Sequence, residues 1–328
     1  MQQILKVALI LASVASVSAH PRFSRSQPIA VRQAASSSAS APAASSTSLT
    51  QSAGPSSGNV GQGNLTDIDI LQFALTLEHL EATFYSQGFA KFQQSDFEAA
   101  GLTATQVSEL ITVGGTESTH VTQLTAAISA AGATPVQQCT YNFPLDTVTD
   151  MITTARVLEA VGIAAYLGAA PQVKTAPVLA AAAEIVTVEA RHQTFIRTAT
   201  NAVAVPNAFD SPLSPRAVFT LAAPFITSCP SGSNLAIEPF PAIALQGGGV
   251  GISAGQSLVL ANPGQPAGAQ FCGFINQGQA TFAPISSGSC QVPPNLSGEV
   301  FMVVTSSESI ADTAILAGYV CSNVSRVT

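Results

Sequence analysis

Two short segments of the chain repeat one pattern. Glu117-Ser-Thr-His120 recurs as Glu189-Ala-Arg-His192, and each follows a Glu and a Tyr seven residues apart, Glu78 with Tyr85 and Glu159 with Tyr166. On an α-helix a step of three residues turns about −60°, so the Glu and His of each pair share a face. A step of seven turns about −20°, which sets each Tyr nearly above its Glu, two turns on. Four helices presenting these residues inward bring four carboxylates and two imidazoles to one point. Such a set suits two divalent metal ions, because four negative charges balance two M²⁺ and each imidazole adds a neutral nitrogen.

Chance does not produce this pattern. With 11 Glu, 4 His and 4 Tyr in 328 residues, roughly 0.13 pairs of either spacing are expected; two of each occur, in alternation. Four buried carboxylates with no counter-charge would each cost several kcal/mol or would bind protons. Glu81 is an ambiguity, since it lies three residues after Glu78 and faces roughly inward. The equal spacing to Tyr in both halves selects Glu78, and leaves Glu81 either beside the ligand carboxylates or facing solvent. His79 is expected on the outer face. Arg191 points about 100° away from His192. Arg156, three residues before Glu159, either steadies a carboxylate or lies on the surface.

The elements that carry these residues are helices with readable ends. Thr66 and Asp69 form a capping-box start, with the stripe Leu71, Ala74, Leu75, Glu78, Ala82, Tyr85. Residues 86–102 are expected to be a loop with a short helical piece near 95–100. A second helix starts at Thr103 with Gln106 as capping partner and carries Glu117 and His120. Gly114-Gly115 inside it costs about 1 kcal/mol per glycine, which points to a close backbone approach or a π-bulge. Residues 133–144 are a long crossover. A third helix, capped by Asp146, runs to Gly168 with Glu159 and Tyr166. A fourth runs from after Pro177 to about Thr200 with Glu189 and His192, and a short fifth spans 214–226.

At Cys229-Pro230 the texture changes to short β-rich runs at 242–246, 257–261, 270–275, 280–284, 298–305 and 313–321, separated by turn residues. The fold class is therefore multidomain α and β: a four-helix bundle with a short fifth helix, then a small immunoglobulin-like β-sandwich. The boundaries read 1–19 signal peptide, 20–63 Ser/Ala/Pro-rich disordered leader, 64–203 bundle, 204–234 connector and 235–328 β-sandwich. Lys6, the apolar run 7–17 and Val17-Ser18-Ala19 mark the signal. No other stretch reads as a transmembrane span.

Only 9% of residues are charged and the net charge is −7, which argues against a nucleic-acid partner. Secretion puts the five cysteines in an oxidising compartment. Cys139 with Cys229 would tie the crossover to the end of the helical domain, and Cys272 with Cys290 would bridge the sandwich, leaving Cys321; Cys290 with Cys321 is the alternative, because sequence does not fix connectivity. Asn64, Asn295 and Asn323 head glycosylation sequons.

Residues 65–203 resemble the ferritin-like superfamily. The segments Ala74-Leu-Thr-Leu-Glu78-His-Leu-Glu81-Ala-Thr-Phe-Tyr85 and Cys139-Thr-Tyr-Asn-Phe-Pro144, with the secretion signal and trailing β-domain, resemble secreted fungal ferritin-like-domain proteins, a stress-response group related to plant desiccation-related proteins. The resemblance implies Glu78 and Glu159 as ligands to one metal each, Glu117 and Glu189 as bridges, and His120 and His192 on one metal each. It also implies that Tyr85 and Tyr166 donate hydrogen bonds to ligand carboxylates. The cofactor expected is a pair of Fe or Mn ions, acting on peroxide or O₂ in stress protection, as in a di-iron oxidase, a ferroxidase or a manganese-catalase-like enzyme. No catalytic side chain beyond the ligands is singled out. The alternative is a non-enzymatic module at the cell surface or in the cell wall, with metal absent or only stabilising. An iron-storage cage is disfavoured, because a glycosylated chain with a leader and an added β-domain is hard to close into a shell.

Overall fold

A computed structural model describes residues 65–233, 237–243, 245–247, 252–261 and 266–325. The signal, the leader and Asn64 lie outside the described residues. The helical half contains α1 (Asp67–Lys91), α2 (Gln94–Ala99), α3 (Ala104–Ala130), α4 (Val148–Ala169), α5 (Ala176–Ala199) and α6 (Pro215–Ala222).

Side chains that satisfy the first free backbone N–H groups start most of these helices. The Thr66 hydroxyl accepts from the Asp69 N–H at 3.2 Å, and Asp69 accepts from the Thr66 N–H at 2.9 Å. Thr103 with Gln106 repeats the box at α3. At α4 the cap is Thr147 with Asp150, one residue later than the expected Asp146. Thr147 wins because Asp150 stands three residues on and closes the reciprocal pair. α5 has no cap of its own; Asp67, in the first turn of α1, accepts from the Lys174 and Thr175 N–H groups at 2.7 and 3.0 Å. The residues 86–91, expected in a loop, instead continue α1. Gly88 lies against Met151, so the end of α1 is held by packing that local sequence does not show.

α1 pairs with α3, and α4 with α5, as two hairpins joined by the crossover. Gln72 fastens the crossover to α1, donating to Thr134 O at 2.7 Å and accepting from the Val136 N–H at 2.8 Å. His79 lies 3.3 Å from Val136 O, so it serves this junction rather than an open outer face. Farther along, β1 (Thr140–Tyr141) pairs with β2 (Ile226–Ser228), and the Cys139–Cys229 disulfide closes the same junction. Val148–Gln172 is, among the described residues, long and apolar enough to cross a membrane; it is mostly buried, as a core helix is.

The β-rich region contains β3 (Ile252–Ser253), β4 (Ser257–Val259), β5 (Phe271–Asn276), β6 (Gln279–Pro284), β7 (Ser289–Gln291), β8 (Gly298–Thr305) and β9 (Ile315–Ser325). Five strands form one sheet in the order β3-β9-β8-β5-β6, with only β3–β9 parallel. Gln277 and Gly278 join β5 to β6 with φ of 55° and 69°, the two-residue turn that matches strand twist. β4 and β7 form a separate ribbon, tied to the sheet by Cys272–Cys290.

An immunoglobulin-like sandwich of the constant type sets four strands against three. Here five strands face two, and helices cover the rest. Phe274, Val300, Met302 and Val304 pack under the ribbon with Leu258 and Val292. Ile275, Phe301 and Cys321, on the opposite face, join the helical core beside Leu213, Ala217 and Leu221. Being covered on both faces, β8 is apolar almost without interruption, Val300 to Val304. Two arginines hold this contact. Arg197, 3% exposed, donates to Glu299 and to Asn323 Oδ1, and Arg156 lies 3.6 Å from Glu299. Arg156 therefore belongs to the β8 junction and not to a helical carboxylate. Asn295 is exposed; Asn323 is half-buried in this junction.

The Cys139–Cys229 bridge closes a span of 90 residues. By chain entropy, replacing both cysteines with Ser should lower stability by about 4 kcal/mol. Urea unfolding checks this; a loss below about 1 kcal/mol would show that β1–β2 and the packing hold the crossover unaided.

Candidate metal centre

Each hairpin brings two of the repeated motifs to the space between the helices. Glu78 comes from α1, Glu117 and His120 from α3, Glu159 from α4, and Glu189 and His192 from α5. All six are between 0 and 7% exposed. Two groups form, Glu78-Glu117-His120-Glu189 and Glu117-Glu159-Glu189-His192, each with one donor atom per residue and all such atoms within 4.8 Å of one another. Either group could hold a metal ion.

The distances separate two kinds of carboxylate. His120 Nδ1 lies 3.1 Å from Glu78 Oε2, Glu117 Oε2 and Glu189 Oε1. His192 Nδ1 lies 2.7 Å from Glu117 Oε1, 3.3 Å from Glu159 Oε2 and 3.9 Å from Glu189 Oε2. Glu117 and Glu189 thus address both imidazoles, one oxygen each. Glu78 meets only His120, and Glu159 only His192.

Several of these contacts lack hydrogen-bond alignment despite their length. Glu117 Oε1, Glu159 Oε2, both Glu189 oxygens and His192 Nδ1 are fully buried without a hydrogen-bond partner. Buried polar atoms are normally paired. Orphaned lone pairs converging from three helices, α3, α4 and α5, fit a shared cation, and the hard-oxygen, imidazole-nitrogen donor set suits Fe or Mn.

The two tyrosines cross between the hairpins. The Tyr85 hydroxyl of α1 donates to Glu159 of α4, and the Tyr166 hydroxyl of α4 donates to Glu78 Oε1 of α1 at 2.5 Å. Each fixes the carboxylate that meets a single imidazole. Gly114 lets α1 and α3 approach: a Cβ there would lie 2.8 Å from Tyr85 Cβ. Its neighbour Gly115 meets nothing, so close approach explains only the first glycine, and α3 is unbroken through both. Gly162 on α4 leaves room for Glu81, whose Oε1 would lie 3.1 Å from a Cβ at that position. Glu81 is buried beside the cluster but belongs to neither group of donors. His79 and Arg191 are outside it.

Protonation follows from burial and crowding. Burial, with repulsion from Glu189 and Glu117, outweighs the His120 contact and raises Glu78 to about 8. Burial, with repulsion from Glu189 and Glu78, pushes Glu81 well up, and burial, with repulsion from Glu117 and Glu159, outweighs the His120 contact and pushes Glu189 well up. Glu117 is the exception: burial alone would raise it, but contacts from His120 and His192 pull it down to about 2. Burial opposes the imidazolium forms, yet the surrounding carboxylates hold His120 up to about 12 and His192 up to about 10.

Residues 66–202 match the family model of the ferritin-like domain, and the helical region is accordingly a ferritin-like domain. Protein rds1 of Schizosaccharomyces pombe is 27% identical over 180 residues, covering 55% of this chain and 44% of the relative. The chain thus spans less than half the length of that curated relative.

Two tests follow from the geometry. A metal must displace the protons that His120, His192 and Glu78 hold below about 12, 10 and 8. Metal uptake should therefore release protons, and affinity should rise steadily with pH across the neutral range. Mn²⁺ calorimetry in buffers of different ionisation enthalpy measures both, and an affinity that is flat or falls with pH contradicts the assignment. Tyr166→Phe removes the donor to Glu78 and should weaken metal binding by about 10- to 100-fold, read by competition with a chromophoric chelator.

Proposed function

We propose that the four long helices close as a bundle around two divalent metal ions, iron or manganese, and that the protein performs redox chemistry on peroxide or O₂. The observation that carries this reading is the division of labour among the carboxylates. The two oxygens of Glu117, and likewise those of Glu189, address different imidazoles. In this reading Glu117 and Glu189 bridge. Glu78 and His120 hold one ion, and Glu159 and His192 the other.

When bound, a pair of redox-active ions supplies one-electron steps at neighbouring centres. The chain's own contribution is position and proton control. Tyr85 and Tyr166 hold the terminal carboxylates in one orientation. Apolar layers on either side, Leu75, Leu124 and Ile128 at one end and Leu80, Phe84 and Leu110 at the other, exclude water. Glu81 keeps a proton next to the cluster without taking a ligand position.

The two disulfides suit an oxidising compartment. Residues 1–19 then act as a secretion signal and 20–63 as a spacer, placing the protein outside the cell, with association with the wall and a role in stress protection. Glycans at Asn64 and Asn295 fit this setting; one at Asn323 would compete with the Arg197 contact.

A second reading, that metal only stabilises the fold, is favoured by one observation: none of the six residues is more than 7% exposed. The two readings separate experimentally. Secreted protein should contain about two metals per chain and turn over peroxide or O₂. Glu117→Gln with Glu189→Gln should abolish metal content and turnover together. Loss of thermal stability in a protein whose wild type shows no turnover supports the structural role. Elemental analysis that finds no metal, even after anaerobic Fe²⁺ or Mn²⁺ loading, removes both.

A further inference from the structure

A cavity of about 260 Å³ opens between α4, α5, the loop 203–211 and β8. That volume approaches the lower end of small-molecule sites, about 300–1,000 Å³. Its wall on α5 adjoins the metal centre without sharing a residue with it: Gln193, which lines the cavity, follows His192 and stands one turn after Glu189, about 40° around the helix from it.

Gln193 is 6% exposed, and neither its Oε1 nor its Nε2 has a hydrogen-bond partner. A buried amide with both ends unmatched is costly and calls for a partner. The rim is also unusual. Val205 and Phe209 line the cavity yet are each 72% exposed, an apolar lip that nothing else in the described chain covers. The charged wall is already arranged: Arg197 is spent on Val203 O, Glu299 and Asn323, and Asp210 brings a further carboxylate to the edge.

We propose that this cavity binds a small uncharged polyhydroxylated molecule, a monosaccharide or polyol, anchored on the Gln193 amide. One hydroxyl can accept from Nε2 and donate to Oε1 at once, which gives each end of the amide a partner. A second hydroxyl can donate to Asp210. The C–H face of such a molecule covers Phe209 and Val205. An anionic ligand is disfavoured, because Arg197, the only cation among the described residues of the wall, is already neutralised while Asp210 adds negative charge. The site is independent of the metal reading, since no metal-centre residue lines it.

The test uses the full chain and calorimetric titration with D-glucose and mannitol, with glucuronate as the charged comparison. Polyols stabilise most proteins weakly and without saturation, so saturable binding is the expected result. Gln193→Leu keeps the bulk and removes both polar atoms; it should weaken binding by about tenfold or more while metal content stays unchanged. Phe209→Ala, on the exposed rim, should weaken binding without touching the core. Glucuronate should bind less tightly than glucose. The proposal is overturned if neither glucose nor mannitol gives saturable heat. It is equally overturned if Gln193→Leu binds as the wild type does, or if crystals grown in mannitol show only water in the cavity.

Discussion

Five carboxylates and two imidazoles share one buried volume between the helices, and negative charge in that volume must be balanced for the fold to persist. Four of the carboxylates neutralise two divalent cations if the imidazoles bind as neutral ligands. The fifth, Glu81, then has to stay protonated, and burial among its negative neighbours favours that form. Two glycines serve this cluster: Gly114 under Tyr85 and Gly162 over Glu81. Without a cation, protons must stand in, and the carboxylates around His120 and His192 favour the imidazolium forms.

The centre was legible because its pattern is local. Three- and seven-residue steps are fixed by helix geometry, so Glu78, Glu117, His120, Glu159, Glu189 and His192 could be placed together before any tertiary contact was known. The capping boxes at Thr66 and Thr103 were legible for the same reason. The cap at Thr147 was not, since Asp146 offered a competing side chain one residue earlier. The end of α1 was missed because Met151, more than fifty residues on, supplies the packing that keeps Gly88 helical. Arg156 shows the limit most clearly. Its spacing from Glu159 allowed either service to the centre or a place on the surface, while its partner Glu299 lies in a strand that sequence alone could not bring near.

The β-rich region was legible strand by strand and not as an assembly. β8 matched its expected span, residue for residue, yet its apolar run does not say that one face meets a ribbon and the other meets helices. The short strands β3 and β7 are held by pairing with β9 and β4 and carry little signal themselves. Gln193 was likewise silent in sequence, because an unmatched amide is visible only once the walls around it are known.

The exchange of tyrosines between the hairpins has a structural consequence of its own. Tyr85 reaches from the first hairpin into the second, and Tyr166 reaches back. The contact is reciprocal, and each half completes the other as the members of a symmetric dimer would. Neither hairpin is a half-site in waiting; apart, each would have a carboxylate without its donor and a donor without its carboxylate. Covalent linkage through the crossover makes permanent what two separate copies could achieve only at high concentration.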